Sequence, residues 1–276
     1  MRRATEEDVA AVAAQPFWYH TMDLAPGLTT PGWFDLRPVI DHLPWPDVRG
    51  KRCLDIGTFD GHLAFEMERR GAAEVVAIDI ADHLLWDWPP DARPTGPDDP
   101  SLQVAFRDFK KGDAFRVAHG ILGSAVEWRP LSIYDLTPAE VGMFDVVTCG
   151  TLLLHLRDPV GALEAVRRVC RGHLLSSEQI ELWLSVFGFR RPLARLDGSG
   201  PYCQWWVANA SGHLRMLFAA GFEPERVVRP YVVRFNEHPP PDPTMRTRID
   251  TLARWALTGT RAPGILHRAV LARPRL

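Results

Sequence analysis

The chain has 276 residues and a formal net charge of −2, with 46% hydrophobic and 24% charged residues. This composition excludes wholesale disorder, and the length fits either one large domain or a core with one smaller appendage. The near-neutral balance provides no bulk basic field, which argues against extensive contact with a phosphate backbone.

The cysteines and the hydropathy pattern argue against a metal-binding, a disulfide-rich or a membrane-spanning protein. The four cysteines form no C-x-x-C pair and have no histidine cluster near them, so neither a metal site nor a disulfide framework is expected. The first residues lack an apolar signal-peptide region, and no run approaches the roughly 18 apolar residues that span a bilayer. We therefore expect a cytoplasmic protein that does not associate with a membrane. The sequence leaves the oligomeric state open.

Residues 1–50, called the N-terminal segment below, are rich in proline and aromatic residues. A short helix is predicted over residues 5–14, and prolines then interrupt the chain as far as Pro46. Such a segment suits packing onto a larger domain better than forming a core of its own. Two interpretations stay open: a structural wrap around the main domain, or a lid over a bound substrate.

From residue 51 to residue 276 the pattern predicts one regular domain. Residues 51–56 are predicted as a strand, 62–71 as a helix and 74–80 as a second strand, which together make a βαβ unit. Further strands are predicted near residues 126–133, 144–149, 173–177, 226–235 and 267–272, with helices near 102–122, 159–171 and 211–220 and an irregular substrate-pocket insert over 183–208.

This alternation predicts an α/β fold. We expect a Rossmann-like, mostly parallel sheet of seven strands with helices on both faces and the N-terminal segment as a lid. In such sheets ligands bind at the carboxyl ends of the strands.

The sharpest chemical signal is the run LDIGTFDG at residues 54–61, followed by Asp79 at the end of the second predicted strand. Gly57 allows a ligand to approach the backbone closely, and Gly61 permits tight entry into the following helix; both glycines are expected to contact the cofactor. Asp79 stands near the spacing at which an acidic residue accepts hydrogen bonds from a ribose diol. The combination predicts a nucleoside cofactor.

The same turn favours a cationic cofactor over a dinucleotide. Phe59 stands where a dinucleotide fold has its second glycine, and Asp60 would repel a phosphate. S-Adenosylmethionine carries a sulfonium and an ammonium group, and the carboxylate of Asp55 or Asp60 would favour both.

The runs LDIGTFDG, VVAIDI, LSIYDL and FDVVTCGTLLLHLRDP, in this order, resemble the class I S-adenosylmethionine-dependent methyltransferases, most strongly over residues 50–178. WYHTMDLAPGLTTPGWFDLRP and LLLHLRDP are similar to segments of the group that contains the tRNA wobble-uridine carboxymethyltransferase. The resemblance implies that Gly57 lines the methionine part, that Asp79, Ile80 and Ala81 hold the ribose, that Ile133 and Tyr134 flank the adenine, and that Gly150 lies beside the sulfonium. Trp33 is either a lid on the cofactor or a hydrophobic plug.

Departures from that group change the expected substrate. Leu154 precedes His155 where the carboxymethyl-transferring enzyme has a tyrosine, and no lysine precedes Lys51. Arg37 replaces the missing lysines only in part, so the carboxylate-binding set is incomplete. We therefore expect ordinary S-adenosylmethionine and methyl transfer to a hydroxyl of a small molecule, such as a secondary metabolite or a sugar-like compound.

Two histidines are candidate general bases. His155 follows the fourth strand of the predicted domain, near the expected methyl group, and histidine titrates near neutral pH. The alternative for His155 is a structural hydrogen bond to the helix that Asp158 starts. His20 is the second candidate, with an interior hydrogen bond as its alternative. His83 is expected at the edge of the cofactor or in solvent.

Five residues are candidates for binding the acceptor, and Arg37 is one of them. Glu178 ends the fifth strand, where it either binds a substrate hydroxyl or pairs with an arginine. Trp205, Trp206 and Asn209 lie where the methyltransferase superfamily builds acceptor pockets, and core packing is the alternative for each tryptophan.

Two other functions stay open at this point. A tRNA acceptor would require the many arginines to form a basic patch. A non-catalytic protein of the same fold would retain S-adenosylmethionine without turnover. A substrate-sized cavity beside the methyl site would favour an enzyme, and filled packing there would favour the non-catalytic protein.

Overall fold

The structure is a computed structural model that describes residues 2–90, 92–96, 99, 109–188, 190–199, 203–236 and 248–275. Within these ranges a nine-stranded sheet forms the centre of the molecule. The strands are β1 (Asp23–Ala25), β2 (Leu28–Thr29), β3 (Phe34–Asp35), β4 (Arg52–Ile56), β5 (Glu74–Asp79), β6 (Glu127–Pro130), β7 (Phe144–Gly150), β8 (Cys170–Gln179), β9 (Ala194–Ser199), β10 (Gln204–Ala208), β11 (Phe222–Val227), β12 (Tyr231–Phe235) and β13 (Gly264–Pro274). The helices are α1 (Glu6–Ala14), α2 (His62–Arg69), α3 (Asp113–Leu122), α4 (Pro138–Val141), α5 (Pro159–Val169), α6 (Leu182–Phe187), α7 (Ala210–Ala219) and α8 (Arg248–Thr258).

The central sheet has the order β3-β12-β13-β8-β7-β4-β5-β6, and β11 also pairs with β13. The five strands from β8 to β6 run parallel to their neighbours. Strand β13 is antiparallel to β8, and β11, β12 and β3 continue this antiparallel edge. The predicted Rossmann-like α/β class is therefore confirmed.

The sheet has more strands than the seven expected. The segment predicted as one strand over residues 226–235 is two strands, β11 and β12, which both pair with β13. Pro230 lies between them and has no backbone N–H to offer a ladder. Strand β3 comes from the N-terminal segment and adds one more strand at the edge beside β12.

The two sides of β4 are buried in different layers. Leu54 and Ile56 pack with the core that contains Leu163 of α5, whereas Cys53 packs with Trp18 and Leu24 of the N-terminal segment. Alternate residues of a strand point to opposite faces, so the residues from Cys53 to Ile56 are buried on the two sides of β4, Asp55 among them. The N-terminal segment thus supplies part of the core on one face of the sheet.

The insert expected to be irregular is ordered where the structure describes it. Helix α6 begins at Leu182 because the carboxylate of Glu181 accepts a hydrogen bond from Leu184 N, and β9 and β10 form an antiparallel hairpin. Aromatic and β-branched residues in QWWVA favour a strand. The nearby glycines favour an irregular segment, which is why no strand was predicted there. Helix α8 was not expected, and the first part of the predicted helix over 102–122 lies outside the described residues. None of the helices in the described ranges is both long and apolar enough to cross a membrane.

Candidate active site

A cavity of about 1380 Å³ lies at the carboxyl ends of the parallel strands. Each of the five strands contributes residues near its end: Gly57 for β4, Asp79 and Ile80 for β5, Leu131 and Ser132 for β6, Gly150 and Thr151 for β7, and Ser177 and Gln179 for β8. Tyr19, His20 and Trp33 of the N-terminal segment line the same cavity. Loops beyond these strand ends form the binding site in open α/β sheets.

The turn after β4 gives the cavity a backbone wall. Gly57 adopts a φ of 68°, a left-handed conformation that favours glycine, and a Cβ added there would lie 3.0 Å from the Leu152 side chain. Asp55, the penultimate residue of β4, also lines the cavity. Its Oδ1 accepts a hydrogen bond of 2.6 Å from Thr148 Oγ1, and burial raises the pKa of Asp55 to about 6.

Asp79 lies at the cavity in an ion pair that the sequence did not predict. Its Oδ2 accepts hydrogen bonds from Lys111 Nζ at 2.6 Å and from Phe59 N at 2.9 Å, and its Oδ1 accepts one from Ile80 N at 2.8 Å. The Lys111 side chain is 2% exposed and its ammonium lies 4.1 Å from the centroid of the Phe59 ring. Lys111 therefore neutralises the predicted ribose acid and fixes its orientation.

The predicted adenine residues lie together. Ile133 and Tyr134 line the cavity, as does Ile80, which was expected to hold the ribose. The Tyr134 hydroxyl donates to Asp87 Oδ2 at 2.9 Å. Leu131, Ser132 and Leu156, which the sequence analysis did not select, line the same part. Two expected neighbours lie elsewhere: Ala81 is exposed and His83 is buried, and neither belongs to the described lining of the cavity.

Gly61 serves the helix rather than a ligand. Its φ is 96°, and a Cβ added there would lie 2.3 Å from Phe65 Cε2, so α2 can start here only with glycine. Among the described residues that line the cavity, Gly61 is not included. Gly61 therefore has a packing role at the start of α2 and not the expected contact with the cofactor.

Asp60 also differs from the expectation. Its side chain is fully buried, and its Oδ2 accepts hydrogen bonds from Tyr19 N at 2.9 Å and His20 N at 2.7 Å. Its Oδ1 is bound to His20 Nδ1. The carboxylate therefore holds the N-terminal segment instead of facing a cationic ligand.

His20 is at the cavity with the partner that a histidine base needs. Its side chain is 14% exposed, and its Nδ1 donates to the Asp60 carboxylate, which leaves Nε2 to accept a proton. The neighbouring ring of His62 is stacked 5.1 Å away, centroid to centroid. Burial lowers the pKa of His62 to about 4, so that ring is neutral near pH 7.

His155 lines the cavity from the turn after β7. Its Nδ1 donates to the carbonyl oxygen of Cys203 at 3.0 Å, which fixes the tautomer with Nε2 as the proton acceptor. The structural alternative for His155 was a hydrogen bond to α5, the helix that Asp158 starts, but the bond to Cys203 does not involve that helix. Asp158 Oδ1 caps α5 by accepting from Gly161 N.

A third histidine completes the polar part of the cavity, and sequence reasoning missed it. His267 of β13 donates from Nδ1 to Ile265 O at 3.0 Å, so its Nε2 accepts from Thr151 Oγ1, also at 3.0 Å. Burial lowers the pKa of His267 to about 4, which rules it out as a base near neutral pH. Thr151 has a φ of 51°, a strained conformation for a β-branched residue.

Glu178 does not bind in the cavity. It is 3% exposed, and its Oε2 accepts hydrogen bonds from Leu152 N at 3.1 Å and Leu153 N at 3.2 Å. Burial raises the pKa of Glu178 to about 8. The side chain therefore supports the turn that carries Thr151 and His155, which is neither of the two roles expected for it.

Arg37 is engaged on the surface. Its guanidinium donates to Asp35 Oδ1 and Oδ2 at 2.9 and 2.8 Å and to Asp23 Oδ1 at 2.6 Å. Because two carboxylates of the N-terminal segment already use its donors, the expected contact of Arg37 with a substrate is not found.

The three residues expected in the acceptor pocket are structural. Trp205 Nε1 donates to Asp87 O, and Trp206 Nε1 donates to Arg157 O at 3.0 Å. Asn209 is fully buried, caps α7 through Gly212 N at 2.7 Å, and donates to two backbone carbonyls. The hairpin faces the cavity instead with Gln204 and Val207, because a register shift lies between Gln204 and Trp206.

The family-level comparison agrees with this geometry. A family model described as a methyltransferase domain matches residues 35–224, which is more than half of the chain. The chain belongs to the methyltransferase domain family. S-Adenosylmethionine is the cofactor of this family, as the turn after β4 predicted.

Individual relatives of this methyltransferase domain cover less of the chain. It is 33% identical over 133 residues to a ubiquinone biosynthesis O-methyltransferase of Neisseria meningitidis, which is 48% of this chain and 45% of the relative. It is 34% identical over 123 residues to the enzyme of that name from Hahella chejuensis, which is 44% of this chain and 40% of the relative. The chain thus spans less than half the length of these relatives.

Solved methyltransferase structures share the fold. An S-adenosylmethionine-dependent methyltransferase from Mesorhizobium loti superposes with a TM-score of 0.50 at 16% identity over 86% of this chain and 97% of the other. The 1,6-didemethyltoxoflavin-N1-methyltransferase of Burkholderia thailandensis gives 0.51 at 14% identity over 87% and 78%. The curated relatives named above are O-methyltransferases of ubiquinone biosynthesis, so the predicted similarity to the tRNA wobble-uridine group is not supported.

The residues present fit the cofactor of the family. Gly57 offers bare backbone at the cavity wall, Asp79 offers carboxylate oxygens, and Ile80 with Ile133 offers apolar surface. Asp55 places a carboxyl group at the same wall. This donor set suits a ligand with a hydroxylated sugar, a flat apolar base and a positive charge.

Proposed function

We propose that this protein transfers a methyl group from S-adenosylmethionine to a hydroxyl oxygen of a small-molecule acceptor. The observation that carries the proposal is the cavity of about 1380 Å³, which joins Gly57 and Asp79 to His20 and His155. A typical small-molecule site has roughly 300–1,000 Å³. The cavity therefore has room for a cofactor and an acceptor together, which supports an enzyme over a non-catalytic protein of the same fold.

The cofactor, when bound, supplies an electrophilic methyl group on a positively charged sulfur. Asp79 accepts hydrogen bonds from the ribose hydroxyls with the lone pairs that Lys111 and the backbone leave available. Ile80 and Ile133 pack on the base, and Asp55 favours the positive charge. Gly57 and Gly150 allow close approach of the cofactor because neither has a side chain.

His20 is the general base that the structure favours. His20 Nε2 would take the proton that the acceptor hydroxyl loses when its oxygen is methylated. Asp60 orients the ring and stabilises the imidazolium through Nδ1, as a buried carboxylate does for a catalytic histidine. His155 has a neutral carbonyl as its partner, so the protonated ring gains less from its surroundings.

The acceptor class follows from two observations. The named curated relatives are O-methyltransferases, and aromatic side chains form much of the cavity wall, including Trp33, Phe34, Trp183 and Phe235. An aromatic small molecule with a hydroxyl group matches these walls. The tRNA alternative has no corresponding observation and is not proposed.

Calorimetry with S-adenosylhomocysteine tests the first step, and lack of binding by the wild-type protein would reject the proposed function. Methyl transfer to a panel of phenols and catechols, followed by mass spectrometry of the ethers, tests the second. His20→Asn is expected to lower kcat by about 10²–10⁴-fold, and His155→Asn by less. His42→Asn is the matched control, because His42 is exposed and outside the described cavity lining. Equal kcat values for wild type and His20→Asn would reject the assignment of the base.

A further inference from the structure

The acceptor half of the cavity contains a buried arginine that the proposed chemistry does not use. In the sheet order, β8, β13 and β12 lie on the far side of β7 from the cofactor strands β4, β5 and β6. The cavity wall on that side includes Trp183 of α6, Phe235 of β12 and Arg254 of α8. An acceptor placed beyond Gly150 therefore lies against these side chains.

Arg254 is buried, and not all of its donor nitrogens are hydrogen-bonded. The residue is 8% exposed, and among the described residues its Nε has no hydrogen-bond partner. Burial lowers the pKa of the guanidinium below its usual value, which shows that the surroundings stabilise its charge poorly. A buried cation in this state is costly unless something else supplies the missing negative charge.

The carboxylates that share this part of the cavity have other contacts. Asp197 binds Arg195 Nη1 at 2.7 Å, and Glu181 accepts from Leu184 N at 2.5 Å as the cap of α6. Asp250, one turn before Arg254 on α8, attracts the guanidinium, but burial outweighs that attraction. One guanidinium balances one negative charge, so a singly charged ligand group suits Arg254 better than a doubly charged phosphate.

We propose that Arg254 forms an anion subsite of the acceptor pocket and binds the carboxylate of an aromatic acid. This inference rests on the proposed function only for the place of the acceptor. The planar guanidinium binds a carboxylate through two parallel hydrogen bonds, and the neighbouring walls of Trp183 and Phe235 accept a flat ring. Within the proposed function, the acceptor is then a hydroxylated aromatic acid.

Titration calorimetry with 3,4-dihydroxybenzoate and its neutral isostere 3,4-dihydroxybenzamide tests the subsite. Each compound is titrated into the wild-type protein with and without S-adenosylhomocysteine. The acid is expected to bind about 10–100-fold more tightly than the amide, the range for a hydrogen bond to a charged group. Arg254→Gln is expected to abolish this preference and Arg254→Lys to keep part of it.

Two control variants make the result specific. Arg195→Gln removes the neighbouring cavity arginine, and Arg215→Gln removes an arginine on α7 that lies over the Phe218 ring. Both are expected to retain the preference for the acid. The proposal is overturned if wild type binds the two compounds equally or binds neither, or if Arg195→Gln rather than Arg254→Gln removes the preference.

Binding of S-adenosylhomocysteine separates this proposal from the proposed function. Arg254→Gln is expected to bind S-adenosylhomocysteine as wild type does, which also shows that the variant is folded. Failure of wild type to bind S-adenosylhomocysteine would reject the methyltransferase function, whereas the acid-to-amide ratio measured without it would still decide the anion subsite.

Discussion

Replacing Asp60 is expected to release the N-terminal segment from the domain. Its fully buried carboxylate accepts hydrogen bonds from Tyr19 N and His20 N and binds His20 Nδ1. Alanine leaves these three donors without an acceptor. At ~1.5 kcal/mol for each hydrogen bond to a charged group, Asp60→Ala loses ~4–5 kcal/mol of the free energy of unfolding. Removing the cost of a buried charge offsets part of this, so the net expectation is ~3–4 kcal/mol.

Asn at position 60 separates the hydrogen bonds from the charge. The amide oxygen of Asp60→Asn still accepts from both backbone N–H groups, while its NH₂ faces His20 Nδ1. The imidazole then adopts the other tautomer, with its hydrogen on Nε2. We expect Asp60→Asn to cost less than ~1.5 kcal/mol in stability, the worth of one ordinary hydrogen bond, yet to prevent His20 from accepting a proton.

Urea denaturation followed by tryptophan fluorescence gives the two free energies of unfolding. Nitrogen-15 spectra of the histidine rings report the tautomer of His20 in wild type and in Asp60→Asn. The reasoning is refuted if Asp60→Ala is within ~1 kcal/mol of wild type, since one lost hydrogen bond already accounts for that much. It is also refuted if His20 carries its hydrogen on Nδ1 in Asp60→Asn.

Three further predictions concern Asp79, Asn209 and Glu178. Asp79→Ala should weaken binding of S-adenosylhomocysteine by about 10–100-fold in calorimetry, and Lys111→Met, which leaves the Asp79 carboxylate in place, should weaken it less. Asn209→Ala should lower the free energy of unfolding by ~2–4 kcal/mol in urea, because a buried side chain loses four hydrogen bonds, with binding of S-adenosylhomocysteine unchanged. The pKa of Glu178 is raised from 4.5 to about 8 by burial, so its contribution to stability is complete below pH 4.5 and is lost as the pH rises through about 8. The free energy of unfolding of Glu178→Gln relative to that of wild type should therefore rise by up to ~1.4 kcal/mol for each pH unit between pH 4.5 and about 8. A difference that stays constant between pH 5 and pH 8 would contradict the raised pKa of the buried carboxyl group.

The sequence could place Gly57 and Asp79 at one cavity because the signals that connect them are local. Gly57 and Asp79 are linked by one strand–helix–strand unit, and the spacing alone brings them to the same sheet edge. The alternating pattern that predicted the fold is local in the same sense. Each strand is indicated by its own run of apolar residues.

The acceptor side could not be predicted in this way. Glu178 was expected to bind substrate because it ends a predicted strand, and Asn209 because it lies where the methyltransferase superfamily builds acceptor pockets. Both instead accept hydrogen bonds from backbone N–H groups, Glu178 from Leu152 and Asn209 from Leu193. Sequence pattern does not show whether a polar side chain at a strand end faces a ligand or caps a turn. The contribution of His267 required the pairing of β13 with β8, which no local signal encodes.

The edge of the sheet restricts how ligands enter. Strand β3 is paired with β12, Thr21 N donates to Phe34 O at 2.8 Å, and Asn236 N donates to Trp33 O at 3.0 Å. Swinging the N-terminal segment outwards would break the pairing of β3 with β12 and the bond from Asn236 together with those to Asp60, so opening the cavity on this side has a high cost in free energy. We therefore expect acceptor and product to pass instead through the wall that contains α6 and α8, which contact each other. Crosslinking the N-terminal segment to the sheet should leave turnover intact, whereas crosslinking α6 to α8 should trap whatever the cavity contains.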